Sequence, residues 1–435
     1  MWNAFQTQTT SNGMHYTKKK LKNGLRIISV PMKDNPTVTV FVLVETGSEF
    51  EKKEANGISH FLEHMCFKGT SKRPTSKDIT KELDALGSHF NAFTSNEYTG
   101  YFAKADKKHL DNILDVVSDL YVNPVFPEKE MEKEKGVIIE EINMYKDLPQ
   151  RIVQEEFSKL LYGDQPAGWS IAGTKDNILN MKRKDLIDYR NRHYVASSTV
   201  VVVAGNFDEK TIFKKIAQYF KGVGTWKKEE KKKVKEIQTE PKVSLYYKDT
   251  DQTHLVLGVR TFDTYNKLNI PLRLIEGILS GGMSARLFQK MREEKGICYY
   301  VHADADAYTD HGAFLISAGV DSKRINEGIE AILYELKRLK EKLVLSEELK
   351  RVKSHLIGSM LLSLELSDSV AGFLGGQEIH KKPLKTPEDI TREIESVTAE
   401  EIKDLAQRIF VEKNLNLSIV GKLNDPKPFF EILKI

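Results

Sequence analysis

The chain has 435 residues, 40% of them apolar and 29% charged, with a formal net charge of +4 at pH 7. That length predicts two or three domains with real cores, and the near-balanced charge excludes a case for nucleic-acid or membrane-surface binding. No run approaches the roughly 20 apolar residues of a membrane span, and Cys66 and Cys298 alone make no disulfide framework, which points to a reducing, cytoplasmic setting (the mitochondrial matrix in a eukaryote).

Residues 1–13 are polar, lack the apolar core of a signal peptide, and read as an extension. Residues 21–31 and 37–45 alternate and run apolar as strands do, joined by a short Lys-Asp-Asn-Pro turn. After Thr46-Gly47-Ser48 comes a helical stretch, 57–69, built around His60-x-x-Glu63-His64. At roughly 100° per residue, His60 and His64 lie about 40° apart on one face, and Glu63 about 60° from His60 in the other direction. Two imidazoles one turn apart can hold a divalent metal, and Zn is the usual choice for His with carboxylate. A carboxylate beside them can take a proton from a water that the metal activates. That is the chemistry of metal-assisted peptide hydrolysis, with the common H-E-x-x-H order reversed. Cys66, two residues past His64, points to the other side of the helix and reads as a small core residue.

Residues 75–86 form a second amphipathic helix, stopped by Gly87. Residues 88–103, rich in aromatic and β-branched side chains, read as strands with a polar turn near Ser95-Asn96. A helix over 109–121 follows, and Asn123-Pro-Val-Phe-Pro127 breaks the chain. The next helix, 127–145, opens with acids, as its dipole favours. In it Glu134 and Glu141 stand seven apart, on one face. A third metal ligand is expected from this stretch, with Glu141 and its neighbour Glu140 both candidates. Further helices are expected over 150–162, 176–194 and 209–220, with a buried strand over 197–205. Residues 221–242 break the composition, and their mixed charges predict a solvated linker.

Beyond the linker the order repeats. Strands at 243–247 and 254–260 match those at 25–30 and 37–45, a helix spans 270–279, and 415–421 echoes 199–205. Setting Val44 against Val259 places Glu63 against Ile278, so the second half reads as a duplicate without the metal motif. The expected division is an extension 1–13, a first domain 14–220, a linker 221–242 and a second domain 243–435. Gly281-Gly282 permits a tight loop but lacks the strand and Gly-Lys-Ser/Thr context of a phosphate cradle. Arg292 and Tyr299 follow it, seven apart.

The stretch 60–70, HFLEHMCFKGT, and the stretch 134–141, EKGVIIEE, together resemble the pitrilysin/insulinase family of zinc peptidases. The nearest branch is that of mitochondrial processing peptidase and its bacterial relatives. The resemblance covers nearly the whole chain from about residue 15. It implies an α+β fold of two homologous α/β sandwich domains, half of a clamshell. It implies one Zn2+ per chain held by His60, His64 and Glu141, with Glu63 as base and Glu134 as partner to a ligand. Asn91 and Ala92 match edge-strand positions that face a substrate peptide joining by backbone pairing. Arg292 and Tyr299 match a pair that contributes to the substrate site. The implied activity is endoproteolysis of unfolded peptides or presequence-like segments in a dimeric chamber, the dimer being of identical or of different chains. The other reading the family allows is a non-catalytic scaffold subunit of a larger complex.

Overall fold

The run Thr199–Gly205, TVVVVAG, is buried at every position. An unbroken β-branched run of this kind suits a strand covered on both faces. The computed structural model, which describes residues 2–8 and 13–435, places it at the centre of the first of two sheets. That sheet contains β1 (Trp2–Gln8), β2 (Tyr16–Leu21), β3 (Arg26–Pro31), β4 (Thr37–Val44), β5 (His89–Thr94), β6 (Thr99–Asp106) and β7 (Thr199–Gly205), in the order β1-β2-β3-β7-β4-β6-β5. Only the β3/β7 pairing is parallel. The second sheet contains β8 (Lys242–Tyr247), β9 (Gln252–Arg260), β10 (Cys298–Ala307), β11 (Gly312–Asp321) and β12 (Asn416–Gly421), in the order β10-β11-β9-β12-β8. Here too one pairing is parallel, β8/β12.

The duplication extends to register. Val200 lies between Arg26 and Leu43 in the first sheet, and Asn416 lies between Lys242 and Gly258 in the second. The fold is α+β, two copies of one α/β layer arrangement, and the helix without a metal motif is Asn269–Ser280.

Each sheet belongs to its own compact unit. One comprises the residues up to Ile142 with Ser170–Lys232 and Leu361–Glu388; the other comprises Asn143–Trp169, Lys233–Met360 and Asp389–Ile435. These are not the consecutive blocks 14–220 and 243–435. In the first unit, Val200 and Val202 pack with Val370, Ala371 and Leu374 of the helix Ser367–Ile379. In the second, Val256 and Val420 pack with Val153 and Phe157 of the helix Pro149–Tyr162. The two halves of the sequence have therefore exchanged equivalent helices. An apolar helix face says that it will be covered but not by which sheet, so the exchange has no signal in the sequence.

Three local readings change. Residues 21–31 are not one strand: a turn closed by Leu21 N to Leu25 O, 2.8 Å, with Gly24 at φ 99°, makes a hairpin of β2 and β3. Residues 176–194 form two helices, Lys175–Asn180 and Arg183–His193, because Lys182 is extended and its N–H donates to Asp185 at 2.8 Å. The charged run of the linker is not wholly solvated. The side chains of Lys228 and Lys231 are only 12% and 11% exposed, the first against the half-buried Glu45 and the second against the buried Glu49 of the first unit. Among the described residues no single helix is long and apolar enough to cross a membrane.

Candidate metal centre

The motif lies on the helix Ile58–Cys66 of the first unit. Ile58, Phe61, Leu62, Met65 and Cys66 are buried in the core, which leaves His60, Glu63 and His64 on the other side. The helix start is built by a residue outside the motif. Glu51 Oε2 accepts from Gly57 N at 2.7 Å and from Asn56 Nδ2 at 2.9 Å, and Glu51 Oε1 accepts from Ser59 N at 2.8 Å. These bonds satisfy backbone donors that a helix N-terminus otherwise leaves open. Burial nonetheless pushes the Glu51 carboxyl up to about 7. Gly57 takes φ 99°, and a Cβ there would come within 2.8 Å of Ala172 O, so the turn into the helix requires glycine.

The helix Glu128–Asp147 brings Glu141 to the same point, while Met131, Ile138 and Ile142 enter the core. His60 Nε2 and His64 Nε2 are 3.2 Å apart, and Glu141 Oε2 lies 3.6 Å from the first and 3.5 Å from the second. Ligand atoms at ~2.05 Å from a tetrahedral Zn2+ stand ~3.3 Å from one another, so this triangle has the size of one face of such a site. Glu140, the rival to Glu141, is exposed on the helix.

The electrostatics also fit a dication. Three carboxylates, Glu63, Glu134 and Glu141, face these histidines against a single lysine, Lys68. Burial, with the charge of His64, pulls His60 down to about 4, which leaves it neutral as a ligand must be. Burial also pulls on His64, but the Glu134 hydrogen bond and the neighbouring carboxylates outweigh it and hold the imidazole above its ordinary value. His64 Nδ1 is 2.8 Å from Glu134 Oε1, and Lys68 Nζ is 2.7 Å from Glu134 Oε2. A carboxylate behind a ligating histidine fixes the ring and its tautomer. Those two contacts hold Glu134 below the usual carboxylate range despite its burial.

Glu63 accepts a hydrogen bond from Thr94 Oγ1 at 2.6 Å. Burial raises its pKa, and the Thr94 bond offsets part of that. Thr94 ends β5, which is an edge of the sheet and pairs only with β6. Asn91 and Ala92 lie on the same strand, and the Ala92 N–H is taken by Asn91's own Oδ1 at 2.9 Å. That N–H therefore faces away from β6, along the open edge.

Arg292 and Tyr299 come together in the second unit. Arg292 Nη1 donates to Tyr299 O at 3.1 Å, and the guanidinium sits 5.5 Å from the Tyr299 ring centroid. Both stand on irregular backbone. Arg292 lies in a π-helical segment, Phe288–Glu294, and Tyr299 is the extra residue where the β10/β11 register shifts between Cys298 and Tyr300. A bulge re-aims a side chain, and Tyr299 is 70% exposed.

Sequence reasoning missed Glu51, Lys68 and Thr94. Lys68 falls inside the 60–70 stretch, one turn past His64, where an i,i+4 rule could have found it. Glu51 and Thr94 act through tertiary contact and carry no local signal.

Residues 26–175 match the family described as "Insulinase (Peptidase family M16)", and residues 180–356 match "Peptidase M16 inactive domain". A zinc protease of Bacillus subtilis is 36% identical over 394 residues, covering 90% of this chain and 95% of that one. A zinc protease of Rickettsia felis is 32% identical over 419 residues, covering 95% and 99%. The chain belongs to the insulinase (M16) family, and the two relatives just named are described as uncharacterized zinc proteases. Solved structures share the fold. A protease from Helicobacter pylori superposes with a TM-score of 0.88 at 22% identity, covering 94% of this chain and all (100%) of that one. A chain of Complex III2 from Candida albicans gives 0.83 at 16% identity, covering 96% and 99%.

Proposed function

We propose that this chain is a zinc-dependent endopeptidase acting on unfolded peptides. The observation that carries the reading is the triangle of His60 Nε2, His64 Nε2 and Glu141 Oε2, with edges of 3.2–3.6 Å, beside the half-buried carboxylate of Glu63. The three side chains would hold one Zn2+, whose chemistry when bound would be to polarise a peptide carbonyl and to lower the pKa of water toward neutrality. Glu134 and Lys68 keep the His64 ring in place. Glu63, held by Thr94, takes the proton from the attacking water and delivers it to the leaving amine. An extended substrate adds to the open edge of β5, where its carbonyl replaces Asn91 Oδ1 at the Ala92 N–H. Backbone pairing of this kind selects extended chains with little regard to sequence.

The active species in this reading is a homodimer. Arg292 and Tyr299 serve the substrate as a cation and a hydroxyl donor toward carbonyl or developing oxyanion. The bulge and the π-helical segment that present them support that role, since such irregularities mark functional positions. The test is to measure bound zinc and to incubate the protein with a library of unstructured peptides, with and without chelator, reading products by mass spectrometry. The reading requires about one zinc per chain and chelator-sensitive internal cleavage. Full zinc with no cleavage of any peptide would favour the scaffold role.

A further inference from the structure

Two buried carboxylates frame the metal helix without belonging to the site. Glu49 lies in the short turn Ser48–Phe50, just ahead of Glu51, and Glu97 lies in the turn between β5 and β6. Their side chains are 1% and 4% exposed, and one cation serves both: Lys231 Nζ is 2.6 Å from Glu49 Oε2 and 2.7 Å from Glu97 Oε1. On its other side Glu97 Oε2 stands 3.5 Å from His380 Nδ1.

The same two segments are tied through their backbones. Ser48 N donates to Ser95 O at 3.1 Å, and Glu49 N donates to Asn96 O at 2.8 Å. The approach is so close that a Cβ on Gly47 would lie 2.1 Å from Ser95 O. Each segment then leads into the site. Residues 47–51 end at Glu51, whose carboxylate holds the start of the motif helix. Residues 94–98 begin with Thr94, which holds Glu63, on the strand that carries Asn91 and Ala92.

We propose that Lys231, a residue of the charged linker, is a positioning residue that sets the spacing between the motif helix and the edge of β5. The proposal rests on the reading of Glu63 as base and of β5 as the substrate strand. Glu49 and Glu97 repel one another, and burial removes the water that would screen them. Lys231 converts that repulsion into a clamp. Without it the two carboxylates are relieved by moving apart or admitting water, and either change loosens the 94–98 turn from the 47–51 segment. Glu63 and Thr94 sit on opposite arms of this clamp, so their hydrogen bond is the first geometry to suffer.

The test uses the full chain with Lys231→Met and Lys231→Arg, and two readouts. The first is amide hydrogen exchange, which reads the clamp whether or not the protein cleaves peptides. Lys231→Met should speed exchange across 47–51 and 94–98 by about tenfold while leaving β7 unchanged, and Lys231→Arg should restore much of the protection. The second is steady-state cleavage of an unstructured peptide. Lys231→Met should keep its zinc and lose about tenfold in kcat, since a small misplacement of reacting groups is costly, and Lys231→Arg should recover most of it. If Lys231→Met does not fold, Lys231→Gln carries the same measurements, because it removes the cation and leaves both carboxylates in place. Wild-type exchange in both segments, or loosened segments with wild-type kcat, would overturn the proposal. A wild-type protein that cleaves nothing would instead count against the peptidase reading, and the exchange readout would still decide the clamp.

Discussion

Thr94 Oγ1 donates to Glu63 Oε2 across 2.6 Å, joining the last residue of an edge strand to the helix that carries the metal motif. The bond restrains the carboxylate that the proposed chemistry uses as base. Thr94→Val keeps the shape and removes the hydroxyl. Hydrogen bonds to charged groups are worth about 1.5–3 kcal/mol, so turnover should fall roughly tenfold or more. Zinc content should stay at the wild-type level, and Thr94→Ser should restore turnover. Kinetics paired with metal analysis decide this, and an unaffected Thr94→Val enzyme would remove Thr94 from the account.

The metal triangle makes a second prediction. His60→Ala, His64→Ala and Glu141→Ala should each empty the site, because each removes one of its three donor atoms. Glu140→Ala should keep zinc, since that side chain is exposed. Glu134→Gln should bind zinc roughly 10–100-fold more weakly, as carboxylates behind ligating histidines do. Competition with a chromophoric chelator measures all five. Retention of zinc by Glu141→Ala together with loss in Glu140→Ala would move the third ligand by one residue.

Arg292 and Tyr299 give a third. Arg292→Ala and Tyr299→Phe should lower turnover and leave zinc unchanged, since neither residue belongs to the His60, His64 and Glu141 cluster. If the active species is a homodimer whose sites draw on both chains, mixing Glu63→Gln with Tyr299→Phe chains should return part of the activity. Co-expression followed by a peptide assay tests this. Full activity in a monomer by sedimentation would contradict the dimer, and no complementation despite proven mixing would contradict the sharing of residues between chains.

A fourth concerns acid. His193 is buried against Phe50 and Tyr189, with ring centroids at 5.9 Å and 4.2 Å. Burial, with the charges of Arg192 and Lys228, pulls its pKa from 6.5 to about 4. Between those values the unfolded chain binds the proton and the folded chain does not, so stability falls as pH drops from 6.5 toward 4. The single group accounts for about 3 kcal/mol across that window, and below it the loss levels off. Denaturant titrations of wild type and His193→Gln, compared pH by pH, should show the difference shrinking by that amount on acidification. Parallel pH profiles would rule out His193 as the source.

Much of this architecture was legible in the sequence because it obeys local periodicities. His60, Glu63 and His64 share a helix side by the same spacing that places Glu134 and Glu141 on one face of theirs. The duplication was legible because Val44 and Val259 begin matching stretches, and the sheets then repeat order and register. The parts that were not legible depend on what the chain meets in space. The helix Pro149–Tyr162 carries an apolar stripe while Ser367–Ile379 shows hardly any, and only packing assigns each to the sheet it covers. The linker lysines Lys228 and Lys231 read as solvated charges until Glu45, Glu49 and Glu97 are seen beneath them. Glu51 caps a helix from six residues ahead of Gly57, beyond any capping-box spacing. The bulge at Tyr299 has no composition signal, since neither glycine nor proline marks it.

The central claim is that Glu63 acts as the base beside a zinc held by His60, His64 and Glu141. Glu63→Gln is close to isosteric and leaves every proposed ligand in place. Its zinc content, measured on the same preparation as its rate of peptide cleavage, is the most direct test. The account predicts wild-type zinc with turnover reduced by at least 100-fold, in the range removed with a general base. Near wild-type cleavage by a zinc-loaded Glu63→Gln protein would contradict it.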